Sequence, residues 1–226
     1  IKRVVKFHNF PISKIIRTYG RLFIKTEKAE EASQKVTKVF GISSLSSALE
    51  TSSKLDDIVE KSLFLANQRL ENGNTFAVKC RRVGTHPYGS RDVCGVVGQQ
   101  ILEKFGEKYG LKVNLKHPDV TFGIDVRDDK AFIFDKVIKG QGGLPLGAQP
   151  RLVGLLDCEA NSAAACWLVM KRGCPVIPLY FDNTPYTGEN MIKKPIDYAR
   201  TLFDWEVGFP RRMYILPNGQ NLKEIV

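Results

Sequence analysis

The feature that most constrains the fold of this chain is a succession of apolar and helical segments in residues 140–180. A glycine-rich segment, GQGGLPLG, begins it, and the apolar run LVGLL at 152–156 has the length of a buried parallel strand. Small and polar residues come next, and 163–170 then have the composition of a buried helix that ends at Gly173. A second apolar run occupies 174–180. This order predicts a βαβ unit, whose first loop is where such folds hold phosphate groups.

The 226-residue chain carries a net charge of +10, which is unevenly distributed. Residues 1–150 contain 25 Lys and Arg against 16 Asp and Glu, a net charge of +9, whereas residues 151–226 contain 9 against 8, a net charge of +1. A basic front half beside a nearly neutral back half favours a polyanionic partner for the front half. The alternative is a basic surface that serves solubility alone.

Hydrophobic periodicity predicts the elements that precede the βαβ unit. In residues 1–50 this periodicity predicts a small α+β unit with a strand at 20–26, a helix at 27–40 and a second strand at 42–49. Residues 51–138 predict a second unit in the order helix, strand, helix, strand, strand, strand. These six segments are 55–70, 75–82, 91–109 (with Ser90 as N-cap), 111–115, 120–126 and 130–137.

Three stretches, FAVKCRR, VNLKHPDVTFGIDV and the GGLPLG segment with its following helix ending in MKRG, resemble the tRNA 4-thiouridine synthetases, the ThiI-like tRNA sulfurtransferases. The matching segments cover most of the chain. The resemblance implies an α/β protein with an α+β front half. It implies four parts, namely a truncated ferredoxin-like unit (1–50), a THUMP domain (51–138), a glycine-rich linker (139–150) and an incomplete Rossmann-like PP-loop ATP-pyrophosphatase domain (151–226).

In this family a loop that reads SGGxDS wraps the ATP phosphates, and the resemblance aligns six residues with it. They are Asp157, Cys158, Glu159, Ala160, Asn161 and Ser162. Only Ser162 matches, both glycines are absent, and two carboxylates are present. Glycine is needed where the backbone approaches a phosphate, and a carboxylate at ~4 Å repels it by ~1 kcal/mol per charge pair in water. We therefore expect a degenerate loop without a cofactor; ATP with Mg²⁺ remains the alternative, if a metal ion bridges carboxylates and phosphates.

The resemblance implies further positions of the ATP site. It places four side chains where the family seats the adenosine moiety, Leu155, Leu156, Tyr180 and Phe181, for which plain strand core is the alternative. The family's sulfur-carrying cysteine lies further along the ATP domain than residue 226. Cys158, Cys166 and Cys174 do not match it, so we assign no catalytic residue, and no metal site is assigned either.

Basic and aromatic side chains cluster in the THUMP-like part. The set predicted to bind RNA is Lys79, Arg81, Arg82, His86, Tyr88, Arg91, Lys104 and Lys108. Lys and Arg neutralise phosphates, and an aromatic ring can stack on an unpaired base. Because the family's THUMP domain binds tRNA, the resemblance implies tRNA as the partner. The alternative is a solvated strand end followed by ordinary surface lysines.

The residues and the resemblance together leave three hypotheses about function. The first is a tRNA-binding protein whose ATP loop is inactive. The second is an active ATP-dependent tRNA sulfurtransferase that makes 4-thiouridine, with a possible second use in thiamine biosynthesis. The third is a non-catalytic THUMP adapter for another tRNA-modifying enzyme. A partner enzyme, a sulfur donor and a homodimer are all compatible with the sequence.

Cysteine usage and hydropathy indicate the compartment. The chain has five cysteines, an odd number without CxxC spacing, which favours reduced thiols. No apolar run approaches the ~18 residues of a membrane span, and the first residues do not resemble a signal peptide. We expect a cytoplasmic protein that does not interact with membranes.

Overall fold

The computed structural model describes residues 1–218 apart from residues 13, 19, 185, 187 and 189. The chain divides into two compact units. A central unit comprises Ser46–Ile138, and a discontinuous unit comprises Ile1–Leu45 with Lys139–Val226. The last eight residues of the predicted PP-loop part, 219–226, lie outside the described residues.

The N-terminal part of the discontinuous unit has two short helices and a hairpin. Its elements are α1 (Lys2–Phe7), β1 (Lys14–Thr18), β2 (Arg21–Lys25), α2 (Ala29–Val36) and β3 (Ser44–Leu45). Strands β1 and β2 pair in antiparallel register, and Gly20 between them adopts φ +71°, a conformation that costs glycine little. Val4 and Val5 of α1 pack against Val36 of α2, so the two helices share a small core.

The central unit is a five-stranded sheet with two helices on one face. Its elements are β4 (Leu49–Ser52), α3 (Leu55–Arg69), β5 (Thr75–Val83), α4 (Ser90–Tyr109), β6 (Lys112–Val113), β7 (Val120–Arg127) and β8 (Lys130–Phe134). The strand order is β4-β8-β7-β5-β6. Strand β5 runs parallel to β6 and β7, whereas β8 is antiparallel to both of its neighbours.

Helix α4 shows why these residues fold locally as they do. Its apolar residues recur every four positions, at Val93, Val97, Ile101 and Phe105, and all four are buried. This stripe faces the sheet, as expected for an amphipathic helix. The helix ends at Gly110, which adopts φ +60°, a common conformation after a helix C-terminus.

The C-terminal part of the discontinuous unit contains the predicted βαβ unit. Its elements are β10 (Leu152–Leu155), α5 (Ala160–Lys171), β11 (Val176–Asp182), α6 (Lys193–Phe203) and β12 (Tyr214–Pro217), and they are preceded by β9 (Ile138–Lys139), which begins at the last residue of the central unit. Strands β10, β11 and β12 form a parallel sheet in that order, and β9 pairs with β3. The βαβ prediction and the mixed α/β fold class are therefore confirmed.

The two faces of the parallel sheet differ in their surroundings. On one face, Leu156 and Val176 join a core with residues of α5 and α6, and Gly154 leaves room for the Cys166 side chain of α5. The opposite face, which we call the open face, carries apolar side chains that are about half exposed. Its most exposed members are Val153, Leu155, Phe181, Tyr214 and Leu216.

Two features join the N-terminal and C-terminal parts within the discontinuous unit. Phe40 stacks on Trp205 with ring centroids 5.5 Å apart and meets Trp167 of α5 edge-on at 5.6 Å. The glycine-rich segment forms a turn in which the Gly142 N–H donates to the Ile42 carbonyl at 2.8 Å. The next residue, Gly143, lies against the last turn of α5 at Lys171.

Several boundaries differ from the sequence predictions. The helix predicted at 27–40 is the shorter α2, and the strand predicted at 42–49 is two short strands. The second of these, β4, pairs with β8 in the five-stranded sheet, with Leu49 opposite Ile133. The helix predicted at 163–170 begins three residues earlier, at Ala160. The N-cap of α4 is Gly89 instead of Ser90, and its N–H donates to the Asp92 carboxylate at 2.8 Å.

Candidate nucleic-acid interface and nucleotide loop

Strand β5 presents two of the predicted RNA-binding cations to solvent. Because side chains alternate along a strand, Lys79 and Arg81 share one face and both are exposed. Cys80 and Arg82 point to the other face, towards the helices, and are half-buried. Lys79 and Arg81 are therefore free to contact a polyanion, with Cα atoms about 6.6 Å apart along the strand.

Arg82, His86 and Tyr88 take part in a hydrogen-bonded network inside the central unit. The Arg82 guanidinium donates to the Gly84 carbonyl at 2.9 Å and lies 3.4 Å from His86 Nδ1. His86 Nε2 is 2.7 Å from the Asp128 carbonyl, so this nitrogen donates and Nδ1 accepts.

Tyr88 extends this network. Its ring stacks on His86 with centroids 5.5 Å apart, and its hydroxyl donates to the Ser53 carbonyl. Burial and the nearby Cys80 raise the pKa of the Tyr88 hydroxyl. The three side chains thus fix the loop between β5 and α4, whatever contact they also make with RNA.

The remaining predicted RNA contacts lie along α4. Arg91 is in its first turn, whereas Lys104 and Lys108 are near its C-terminus, and all three are exposed. With a rise of 1.5 Å per residue, Arg91 and Lys108 are separated by about 25 Å along the helix axis. Lys108 lies over the Tyr109 ring at 4.6 Å. The three cations are spread along α4, which also carries Asp92, Glu103 and Glu107, so they do not form one compact basic site.

The positive charge of the front half is unevenly distributed between the two units. The central unit contains 14 Lys and Arg against 13 Asp and Glu, a net charge of only +1. Residues 1–45 contain 10 against 3, a net charge of +7. The positive excess predicted for the front half is thus concentrated in its first 45 residues. The cations of this segment were absent from the predicted RNA-binding set, although counting charge per predicted unit would have found them.

The loop after β10 is held together by its own side chains. The Asp157 N–H donates to the Ser162 hydroxyl at 3.1 Å, and that hydroxyl donates to the Glu159 carbonyl at 2.9 Å. The Glu159 N–H donates to the Asp157 carboxylate at 2.8 Å. Two backbone N–H groups of the loop are thus bonded to side chains of the loop itself.

Two carboxylates, those of Asp157 and Glu159, lie in this loop. The nearby Ser162 side chain and the hydrogen bond from the Glu159 N–H lower the pKa of the Asp157 carboxyl, so Asp157 is ionised at neutral pH. Asp157 and Glu159 are exposed and precede α5, where a carboxylate stabilises the positive end of the helix dipole. Ala160 and Asn161 form the exposed first turn of α5. The Cys158 thiol contacts the Met191 carbonyl oxygen at 3.4 Å.

The four residues predicted near adenosine lie on opposite faces of the parallel sheet. Leu155 and Phe181 belong to the open face and are 58% and 40% exposed. Leu156 and Tyr180 are buried on the helix-covered face. Burial raises the pKa of the Tyr180 hydroxyl, as does the nearby Cys158. Only the exposed pair could contact a ligand without a change in packing.

Two further observations bear on ligands and membranes. Among the described residues, no group of three or more His, Cys, Asp or Glu side chains is arranged to hold a metal ion. No helix in the same part of the chain is both long and apolar enough to cross a membrane.

Family models match consecutive parts of the chain. The ThiI ferredoxin-like domain matches residues 1–46, the THUMP domain matches residues 52–135, and the model described as thiamine biosynthesis protein (ThiI) matches residues 147–226. Fold and matches together define a THUMP-domain protein with a ferredoxin-like unit before the THUMP domain and an α/β unit after it.

Two relatives indicate the family of THUMP-domain proteins to which the chain belongs. The "probable tRNA sulfurtransferase" of Methanosarcina mazei is 36% identical over 221 residues, which are 96% of this chain and 54% of that protein. The protein of the same description from Methanothermobacter thermautotrophicus is 35% identical over 211 residues, which are 91% of this chain and 53% of that one. The chain belongs to the tRNA sulfurtransferase family, the 4-thiouridine synthetases, and spans about half the length of these relatives.

Two solved structures resemble almost the entire chain. A 4-thiouridine synthetase in complex with RNA and bound ATP matches with a TM-score of 0.84 and 26% identity, covering 99% of this chain and 57% of that one. PH1313 from Pyrococcus horikoshii matches with a TM-score of 0.83 and 28% identity, covering 99% of this chain and 74% of that one.

Proposed function

We propose that this chain binds tRNA and that its loop after β10 does not hold ATP. The observation that carries tRNA binding is the match over 99% of the chain to a 4-thiouridine synthetase bound to RNA. The description of the relatives as probable tRNA sulfurtransferases supports tRNA as the RNA class. We further propose that the protein works in the cytoplasm, because all five cysteines are free thiols.

Within the central unit, Lys79 and Arg81 are the strongest candidates for direct phosphate contacts. Both side chains are exposed on one face of β5. Arg82, by contrast, donates to the Gly84 carbonyl, so its primary role is to hold the loop. Each phosphate that a protein neutralises releases counterions, which makes the affinity fall with salt.

The absence of ATP binding is supported by the loop that replaces SGGxDS. Backbone N–H groups that would face phosphates donate to the Ser162 and Asp157 side chains. Asp157 and Glu159 add negative charge at the same place, and the positions of the two family glycines are occupied by Cys158 and Glu159. Since the βαβ frame is retained, we expect the fold to persist while the nucleotide site is lost.

Without ATP the chain would act as a tRNA-binding adapter for a modifying enzyme or sulfur donor, alone or as a homodimer. The alternative is an active ATP-dependent sulfurtransferase. Direct ATP binding separates the two. Isothermal titration calorimetry with ATP and Mg²⁺ should detect no binding to the parent protein. A low-micromolar dissociation constant that is lost in Ser162→Ala would support the active enzyme instead.

The tRNA assignment is tested by replacing the two exposed cations. Lys79→Ala with Arg81→Ala should weaken tRNA binding several-fold and reduce the slope of log affinity against log salt by about 0.9 for each phosphate that the variant no longer neutralises. Lys61→Ala, a cation of α3 that lies over the Phe64 ring, is the control and should bind like the parent. Equal affinity and equal salt slope for the double variant and the control would remove these residues from the RNA interface.

A further inference from the structure

The discontinuous unit contains a basic groove that none of the predicted site residues lines. A cavity of about 660 Å³ opens between α1, the end of α2 and residues 204–211. Five cations line it, together with His8 and a single carboxylate, Asp204. The five cations that define the basic groove are Lys2, Arg3, Lys35, Lys38 and Arg211.

Aromatic rings hold three of these cations in place. The Arg211 guanidinium lies 4.8 Å from the centre of the Phe7 ring, and the Arg3 guanidinium lies 5.1 Å from that of Phe209. Lys38 lies 5.7 Å above the ring of Trp205. A guanidinium stacked on a ring keeps its N–H edges available, and these edges match two phosphate oxygens at once.

The positive charge of the groove is largely uncompensated. The Asp204 carboxylate is 4.0 Å from Lys38. Within the described part of the chain, Arg3, Lys35 and Arg211 form no ion pair with a carboxylate. The pKa of His8 is lowered, first by desolvation and then by Lys35, Arg211 and Lys38, while Asp204 acts in the opposite direction. The electrostatic potential at His8 is therefore positive.

Arg3 also fits the local backbone closely. Gly208 adopts φ +90°, and a β-carbon at that position would lie 2.5 Å from Arg3 Cδ. The aliphatic part of Arg3 therefore packs where only glycine leaves room, and its guanidinium continues onto Phe209. The cation is thus positioned by the fold, unlike an ordinary surface arginine.

We propose that this groove binds the phosphate backbone of an RNA strand, as a second contact region in the unit that does not contain the THUMP domain. The proposal rests on tRNA being the partner. An acidic polypeptide would also neutralise the cations. RNA fits better because the groove combines guanidinium edges with the Phe7 ring, which is 52% exposed, and nucleotides offer both phosphates and stacking bases.

The direct test compares two double variants that remove equal charge from the same unit. Arg3→Ala with Arg211→Ala empties the groove of its stacked guanidinium groups. Lys194→Ala with Arg200→Ala removes two exposed cations of α6, outside the groove. Affinity for tRNA is measured at several salt concentrations. For the groove variant, the affinity should fall about fivefold or more, and the magnitude of the slope of log affinity against log salt should fall by about 1.4–1.8. The affinity of the control variant should change by less than about twofold.

A charge-preserving variant distinguishes the loss of positive charge from misfolding. Arg3→Lys with Arg211→Lys should restore most of the salt slope, because it returns two positive charges to the groove. Groove and control variants that bind tRNA equally would overturn the proposal while leaving tRNA binding intact. If the parent protein does not bind tRNA, the proposed function and this inference fail together.

A second measurement addresses the ligand class. The His8 imidazole pKa, followed by NMR, should rise when a five-nucleotide oligouridylate binds, since phosphates offset the cations around it. The same rise is not expected with polyglutamate at equal charge concentration. If polyglutamate raises the His8 pKa as much and displaces the oligonucleotide, the groove is an acidic-polypeptide site and the RNA proposal is wrong.

Discussion

Replacing Gly143 by alanine should destabilise the discontinuous unit, and Gly142 provides a matched control. Both glycines have positive φ, +63° at Gly142 and +77° at Gly143. A β-carbon at Gly142 would meet nothing within 4 Å. At Gly143 it would lie 2.8 Å from Lys171 Cγ and closer still to the Lys171 carbonyl oxygen, which accepts from the Leu144 N–H. The two substitutions therefore share the backbone strain and differ in the steric clash.

The expected magnitudes come from the backbone strain and the clash together. Placing alanine in the left-handed region costs about 1–2 kcal/mol, of which about 0.4–1 kcal/mol is offset because the unfolded chain loses freedom. A clash in a packed site adds about 1–3 kcal/mol. Gly142→Ala should thus lower the free energy of unfolding by about 0–1.6 kcal/mol, and Gly143→Ala by about 1–4.6 kcal/mol, a difference of about 1–3 kcal/mol that comes from the clash.

Tryptophan fluorescence during urea unfolding is the appropriate assay. The chain has two tryptophans, Trp167 and Trp205, and both lie in the discontinuous unit. With a denaturant dependence of about 1–3 kcal/mol per molar urea, a difference of about 2 kcal/mol separates the two midpoints by about 1 M. Equal midpoints and equal slopes for the two variants would refute the argument that the turn is packed against the end of α5.

Two further predictions concern buried titratable groups. The buried Glu206 carboxyl group accepts a hydrogen bond from the Val176 N–H at 2.6 Å, and burial raises its pKa. The protonated carboxyl group therefore contributes its full stabilisation below the pKa that Glu206 has in the unfolded chain. This contribution is lost as pH rises through the higher pKa that Glu206 has in the folded protein. Glu206→Gln should therefore gain stability relative to the parent as pH rises from about 4 to about 7 in urea titrations, and a constant difference over this range would contradict the assignment. Burial also raises the pKa of the Cys80 thiol to about 11. At a pH of about 8, iodoacetamide should alkylate Cys80 about 100-fold more slowly than free cysteine, as measured by mass spectrometry, and equal rates in the folded protein would show that the thiol is not protected.

Local periodicity explains which elements could be predicted from the sequence. Helix α4 was predictable because its buried residues recur every four positions, and β5 because its buried and exposed residues alternate. Strand β4 was not, because it is defined by pairing with β8, about eighty residues away in sequence. The start of α5 was missed because polar residues at a helix N-terminus resemble a loop until their hydrogen bonds are known.

Whether a candidate site could be predicted also depends on how close its residues are in the sequence. The six residues of the nucleotide loop could be located because they are contiguous and precede a recognisable helix. The network around Arg82 could not be foreseen, since His86 bonds Asp128 and Tyr88 bonds Ser53, and both partners are distant in sequence. The basic groove draws on residues 1–8, 35–42 and 204–211, which only the fold brings together.

The open face of the parallel sheet has a consequence for the behaviour of this chain in solution. Parallel sheets normally bury both faces, yet here five large apolar side chains of one face are 40–58% exposed. Such a patch promotes self-association and binds hydrophobic dyes. Strongly hydrated salts such as sulfate strengthen apolar association, whereas any salt weakens phosphate contacts. Increasing sulfate should therefore release RNA from this chain while favouring its aggregation, so RNA affinity and self-association have to be measured at the same sulfate concentration.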